Sequence, residues 1–373
     1  MAAGQAPKAI NFRRSSYKHA ELVTSQALPL TAAQQPLTLV NIPAYGFLRG
    51  IWIQVQATGG VGTAVAFQPD APFNALSITV QDTSGNPIFG PMPGTLEFAM
   101  LAQKYGAYKY EADGRQSVVY GPSASTTGSF TVWYYVPIEI VGRNGLGAIT
   151  NLNAAAAYQL IMALSSSGTI YSTAPATTAP TITVSVFMDC WSQPAAHDVL
   201  GNMTTQAPPA LNTTQFWTLA GFPLVSGYNK IQLTRLGYYI RTLLLIFANT
   251  SGARSDSVTP ATIEVWKDNQ PILLQASSLW RQRVQQDYGY PAAVTDSVTG
   301  APCQDIGVYP VTFADDFGLQ PGAELRNGYL PTLQSTKLEV RGTTGAAGTL
   351  YVLTNDVAPS ANKGSSMFVG ATL

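Results

Sequence analysis

Charge is scarce in this sequence. Only 11% of its 373 residues are charged, against about 25% in an average soluble protein. Lys plus Arg and Asp plus Glu number 20 each. That balance leaves no net field to gather nucleic acid, so no sequence-specific nucleic-acid partner is expected. Histidine is nearly absent, with His19 and His197 only, and neither has a Cys or carboxylate neighbour at metal-ligand spacing. Two isolated cysteines, Cys190 and Cys303, give no disulfide framework and no metal motif. They are expected to be free thiols. No run approaches the roughly 18 apolar residues that span a bilayer. The longest, Leu243 to Ala248, has the length of a strand. Met1 to Lys8 lacks the charged start and apolar core of a secretory signal. Gly-x-Ser-x-Gly, His-Glu-x-x-His and phosphate-loop patterns are missing. The expectation is a protein that is not an enzyme and takes no cofactor. A chain so poor in charge suits one that buries its outer walls against neighbours, because interface cores are depleted in charge.

What is present is a repeat. Phe47-Leu48-Arg49-Gly50-Ile51-Trp52-Ile53 returns as Tyr239-Ile240-Arg241-Thr242-Leu243-Leu244-Leu245. Each run is aromatic, aliphatic, Arg, small, then β-rich and apolar. A repeated Arg is most economically structural, its stem covering apolar surface. A second pair follows in the same order. Val80 to Ile88 and Val265 to Ile272 are both strand ends running through a polar turn with Asp82 or Asp268, closed by Pro and Ile. Next come Thr95 to Gly106 and Ser278 to Gly289, each read as a short helix. Thr95 and Ser278 stand where an N-cap belongs, and Gly106 and Gly289 where a left-handed terminator belongs. Leu96, Met100 and Leu101 are expected to face inward, as are Leu279, Val284 and Tyr288. In the third pair Val136-Pro137-Ile138 matches Tyr309-Pro310-Val311, and later strands and glycine turns follow in step. Short strands separated by Gly, Pro, Ser and Thr turns indicate a sandwich or barrel. Gln116 to Tyr120 reads as one of them.

The fold class expected is therefore all-β, with two tandem units that each carry one short helix. The expected boundaries are a basic arm over residues 1–20, a first unit over 21–195, a linker over 196–215, a second unit over 216–357 and a flexible tail over 358–373. The arm holds Lys8, Arg13, Arg14 and Lys18, with no acid before Glu21. Four cations beside Phe12 and Tyr17 read as a tether to an anionic layer, against the plain alternative of a solvated terminus. Asp315-Asp316 is the only adjacent acidic pair and reads as a turn.

These three repeated pairs and the basic arm resemble the double jelly-roll major capsid proteins of tailless icosahedral double-stranded DNA viruses, including tectivirus-like and corticovirus-like bacteriophages. The resemblance covers about residues 20 to 357. It implies two eight-stranded jelly rolls side by side and a homotrimer with a pseudo-hexameric outline. It also implies a place in the virion shell after assembly in the host cytoplasm. The implied partners are neighbouring capsomers, penton and minor capsid proteins, and an internal viral membrane facing the arm. The competing reading is a phage spike or carbohydrate-binding β-sandwich, in which Trp residues form a sugar platform.

Overall fold

The computed structural model describes residues 9–108, 126–140, 145–209, 214–288, 294–295, 302–303, 305–314 and 328–357. Lys8, Gly289, Asp315, Asp316, the strand expected over 116–120 and the tail over 358–373 lie outside them.

The first unit is built from β1 (Lys18–Pro29), β2 (two pieces, Gln35–Pro36 and Val40–Asn41), β3 (Phe47–Thr58), β4 (Leu76–Gln81), β5 (Pro87–Met92), β6 (Phe130–Pro137), β7 (Gln159–Leu164) and β8 (Thr181–Trp191). The second is built from β9 (Gln215–Leu224), β10 (Gly227–Gln232), β11 (Tyr239–Asn249), β12 (Thr262–Lys267), β13 (Gln270–Ala276), β14 (Val308–Thr312), β15 (Leu338–Thr344) and β16 (Gly348–Val357). Strand order in the first unit is β1-β8-β3-β6 in one sheet and β2-β7-β4-β5 in the other. The second unit repeats it as β9-β16-β11-β14 and β10-β15-β12-β13. Both are eight-stranded jelly rolls with the same connectivity. Period-two burial explains the strands. In β4, Leu76, Ile78 and Val80 are buried and alternate with half-buried polar neighbours.

The rolls are fused. β5 of the first pairs in parallel with β9 of the second at Phe89 and Trp217, which makes one continuous sheet through both units. One core lies between the two sheets of the first roll and extends to Trp217, Leu244, Ile246, Ala248, Val308 and Leu353 of the second. A separate core, including Leu243, Leu245, Phe247, Val265 and Val340, fills the second roll. β11 is buried on both faces for this reason. Past the bulge at Arg241, Leu244, Ile246 and Ala248 join the core shared with the first roll, and Leu243, Leu245 and Phe247 the core of their own roll.

Three local expectations are corrected. The first helix, α2 (Phe98–Tyr105), does not begin at Thr95. Leu96 and Glu97 take φ of 53° and 56°, so helical geometry starts only after them, and Glu97 makes no side-chain cap bond. At its other end Gly106 is right-handed and Ala107 takes the left-handed turn, at φ 61°. In the second helix, α3 (Ser277–Tyr288), Ser277 is already helical. Trp280 is its buried anchor and donates to the Pro310 carbonyl at 2.8 Å, while Leu279 is exposed. The Pro137–Pro310 match is two residues out of step. Gly50 faces Pro137 and its counterpart Thr242 faces Thr312. An even slip leaves the same side chains inward, so the pattern alone does not detect it.

Candidate functional site

Both repeated arginines sit in a β-bulge between corresponding strands. Leu48 and Gly50 face Cys190 and Asp189, leaving Arg49 as the extra residue. Ile240 and Thr242 face Asp356 and Asn355, leaving Arg241. The carbonyl of each accepts from the end of the adjacent strand, from Ile138 N and Phe313 N respectively. A bulge re-aims one side chain, and here it aims a guanidinium along the sheet end.

The two diverge in what they meet. Arg49 donates from Nε and Nη2 to Glu139 Oε1, at 2.9 and 2.6 Å, and from Nη1 to both Asp189 oxygens, at 3.0 and 3.1 Å. Trp191 Nε1 donates to the other Glu139 oxygen at 2.9 Å. Burial pushes Glu139 and Asp189 above the usual carboxylate range, with Arg49 opposing it in both. Sequence reasoning passed over both acids. The signal was an acid inside an apolar run, Ile138-Glu139-Ile140 and Met188-Asp189-Cys190. Arg241 instead reaches the first roll, donating to the Gly106 carbonyl at 3.2 and 3.3 Å and to Asn355 Oδ1 at 3.2 Å. A cation at the end of α2 meets its exposed carbonyls and the negative end of its dipole. Gln215 extends this polar seam, donating to Tyr108 Oη and to the Glu139 carbonyl, both at 2.8 Å.

A second polar group pins the rolls together. Arg254 of the second roll donates from Nη2 to Asp70 Oδ1 at 2.9 Å, and lies 3.6 Å from Glu97 and 3.8 Å from Asp305. Lys104 pairs with Asp305, which also accepts from Tyr105 Oη at 2.6 Å. Burial alone would raise Asp305, but Lys104 and Arg254 outweigh it and hold the carboxyl down at about 2.

Of the arm cations, Arg13 and Lys18 are brought to one place. Their charged ends lie 5.1 and 5.7 Å from the Trp191 ring, which Arg49 also approaches at 4.6 Å. Burial and the nearby Arg49 lower the Lys18 pKa. Arg14 is exposed on α1 (Phe12–Ser15). Phe12 is buried against Phe47 and Trp191, and Ile10 exchanges backbone bonds with Met203 and Thr205. From residue 9 onward the described arm is docked on the first roll, and Lys18 already begins β1. Cys190 is a free, buried thiol that burial pushes up to about 12. Asp82 accepts from the Ser84 and Asn86 amides, as a turn residue does. Among the described residues no cluster of His, Cys, Asp and Glu could hold a metal ion.

Fold and joint together define a double jelly-roll protein. Solved structures place it beside viral shells. The chain is similar to the major capsid protein of STIV, at 13% identity and TM-score 0.60, covering 94% of this chain and 99% of that one. It is likewise similar to a chain of Sulfolobus Turreted Icosahedral Virus, at 13% identity and TM-score 0.60, covering 92% of each. It is similar to the PBCV-1 virus capsid at 12% identity and TM-score 0.51, covering 96% and 95%. At these identities the likeness is one of fold. No family model matches the chain, and no curated protein matches it by sequence.

Proposed function

We propose that the chain is a major capsid protein that trimerises into pseudo-hexameric capsomers and builds an icosahedral viral shell. One observation carries this reading: two jelly rolls of identical connectivity are fused into a single block through a parallel strand joint and a shared core. A fused block with distinct side walls is what a shell lattice needs. Large apolar interfaces between such walls are typical of obligate assemblies. A non-catalytic role is supported by the buried charges at Arg49 and Arg254, which serve as structural cross-links. The repeat-equivalent Arg49 and Arg241 are proposed as structural anchors. Partners would be neighbouring capsomers, penton and minor capsid proteins, in a virion assembled in the host cytoplasm. An anionic layer such as an internal membrane would be met through Lys8 and Arg14, since Arg13 and Lys18 already face Trp191.

The sugar-platform reading has Trp52 and Trp133 in its favour, both half-buried on an outer sheet face. Their rings meet edge to face, at 77° with centroids 6.4 Å apart, rather than as a flat stacking surface. Light scattering on the purified chain tests the proposal. A stable trimer, or growth to large particles, is the expected result. A monomer at micromolar concentration that retains glycan would overturn it.

A further inference from the structure

The segment between the rolls carries an apolar tip that the fold does not use. After β8 the chain makes a tight turn at Asp198-Val199-Leu200-Gly201-Asn202. Val199 is 100% exposed and Leu200 82%. No other large apolar side chain among the described residues stands so far out, and Met203, just behind them, is 53% exposed. The turn is nevertheless pinned. The Asp198 carboxylate accepts from the Leu200 and Asn202 amides, at 2.9 and 2.8 Å, and from Asn202 Nδ2 at 2.9 Å. Asp198 N donates to the Asn202 carbonyl at 2.9 Å, and Gly201 N to the Asp198 carbonyl at 3.0 Å. Gly201 supplies the positive φ, 80°, that closes the turn. Asp, Gly and Asn hold the backbone, and the two aliphatic side chains between them are left in water.

This finger is tied to the arm. His197 bridges to Met203, Ile10 N donates to the Met203 carbonyl at 2.8 Å, and Thr205 N donates to the Ile10 carbonyl at 2.8 Å. Four residues beyond Ile10, Arg14 is exposed on α1. Tyr17, 62% exposed, is held to the root of the same segment, its amide donating to Ser192 Oγ at 3.0 Å. The segment and the arm meet at the end of the first roll where β1 begins and β8 finishes, with Lys18 facing Trp191. The acids there are engaged. Glu139 and Asp189 are bound to Arg49, Asp198 is held by its turn, and Glu21 lies 3.1 Å from His19. An aliphatic tip thus stands beside an arm that carries cations and a tyrosine.

A convex tip needs a medium that closes round it. A folded partner would have to offer a pocket cut to two aliphatic side chains that have no polar atom to orient them. Acyl chains need no such fit. Apolar side chains set below the headgroups, with Arg, Lys and Tyr at headgroup depth, are how a segment lies in a membrane interface. We infer that Val199 and Leu200 form a lipid-inserting finger, which enters a bilayer surface while the arm lies against the headgroups. The inference rests on the reading that this end of the block meets a lipid layer, and it names an apolar anchor for that contact. Finger and arm differ in their response to salt. Attraction of the arm cations to headgroups is screened by salt, whereas burial of aliphatic area is not.

The test is flotation of the full chain with vesicles of phosphatidylcholine and phosphatidylglycerol, at low and high salt. Val199→Ser with Leu200→Ser is expected to lower the ratio of bound to free protein about tenfold at high salt. Circular dichroism and the urea midpoint should stay those of the parent, since both side chains are exposed. Arg14→Ser should weaken binding at low salt only. Independently, Leu200→Cys in a chain with Cys303→Ser, Cys190 being buried, takes an environment-sensitive fluorophore. Its emission is expected to shift to the blue on vesicles and to be quenched by a nitroxide on the acyl chains. A parent chain that floats while the label stays in water and the double variant binds equally well would overturn the finger and leave the lipid-facing reading standing. A blue shift on self-association without vesicles would assign the tip to a contact between copies and overturn the finger. A parent chain that floats at neither salt would overturn both.

Discussion

Arg49→Met is the sharpest single perturbation. The guanidinium serves two buried carboxylates, so its loss strands Glu139 inside the protein. Asp189 keeps partial compensation from Lys18 and Trp52. Removing one partner of a buried ion pair costs about 3–5 kcal/mol. The structure allows a tighter figure, because a stranded acid escapes by taking up a proton. For a Glu whose unfolded pKa is about 4.3, that escape costs about 3.7 kcal/mol at pH 7 and about 1 kcal/mol at pH 5. The sign follows from the raised folded pKa of Glu139. An acid raised on folding leaves stability fully present below its unfolded pKa, and stability is lost as pH rises through the folded value. Removal of Arg49 raises that pKa further. The expected loss relative to the parent is therefore up to about 4 kcal/mol at pH 7, shrinking to about 1 kcal/mol at pH 5. Glu139→Gln in the same chain should recover most of it, since the amide oxygen still accepts from Trp191. Urea unfolding of the two single variants and the double variant at both pH values measures this. A loss equal at pH 7 and pH 5, or no recovery in the double variant, would refute the electrostatic account and assign the effect to lost packing on Trp191.

Three further outcomes are expected. Arg254→Met removes the cation shared by Asp70, Glu97 and Asp305 at the joint, so it should cost about 3–5 kcal/mol and split unfolding into two transitions, read by calorimetry. Asp356, buried and pushed up to about 6 with Arg235 opposing, carries a penalty that appears as pH rises from the unfolded value toward 6. Asp356→Asn should thus be neutral at pH 4 and stabilising by about 1–3 kcal/mol at pH 8, checked by urea midpoints. Phe12→Ala empties a site 1% exposed and should cost about 3 kcal/mol locally, seen as faster protease cleavage before residue 18. If the arm meets an anionic layer, liposome flotation of this variant should persist and weaken with salt.

The repeat was legible because a bulge that exports one Arg from an apolar strand leaves a mark in sequence, and it left it twice. That the second unit repeats the first followed from the order of three matched pairs, of which the Arg run is one. The first helix start was not legible, since nothing in Thr95-Leu96-Glu97 announces two left-handed residues. The choice of Trp280 over Leu279 turns on a one-residue phase shift that an almost uniformly polar helix does not define. Arg254 gave no signal at all. It lies in a polar turn, and its partners Asp70 and Glu97 are more than 150 positions away in the chain, brought close only by the joint. The arm cations were legible as a cluster, but not the direction of Arg13 and Lys18, because the aromatic ring these two lean on belongs to the last strand of the first roll.

The sheet that passes unbroken from β2 to β14 has a mechanical meaning. A push on one roll is met at the joint by a plate of hydrogen-bonded strands. In-plane load passes along backbone bonds, which are stiff. Bending across the joint loads the narrow contact at Phe89 and Trp217, and the buried Arg254 group ties the two rolls together as well. A shell tiled with such plates would yield between blocks before it yielded within them.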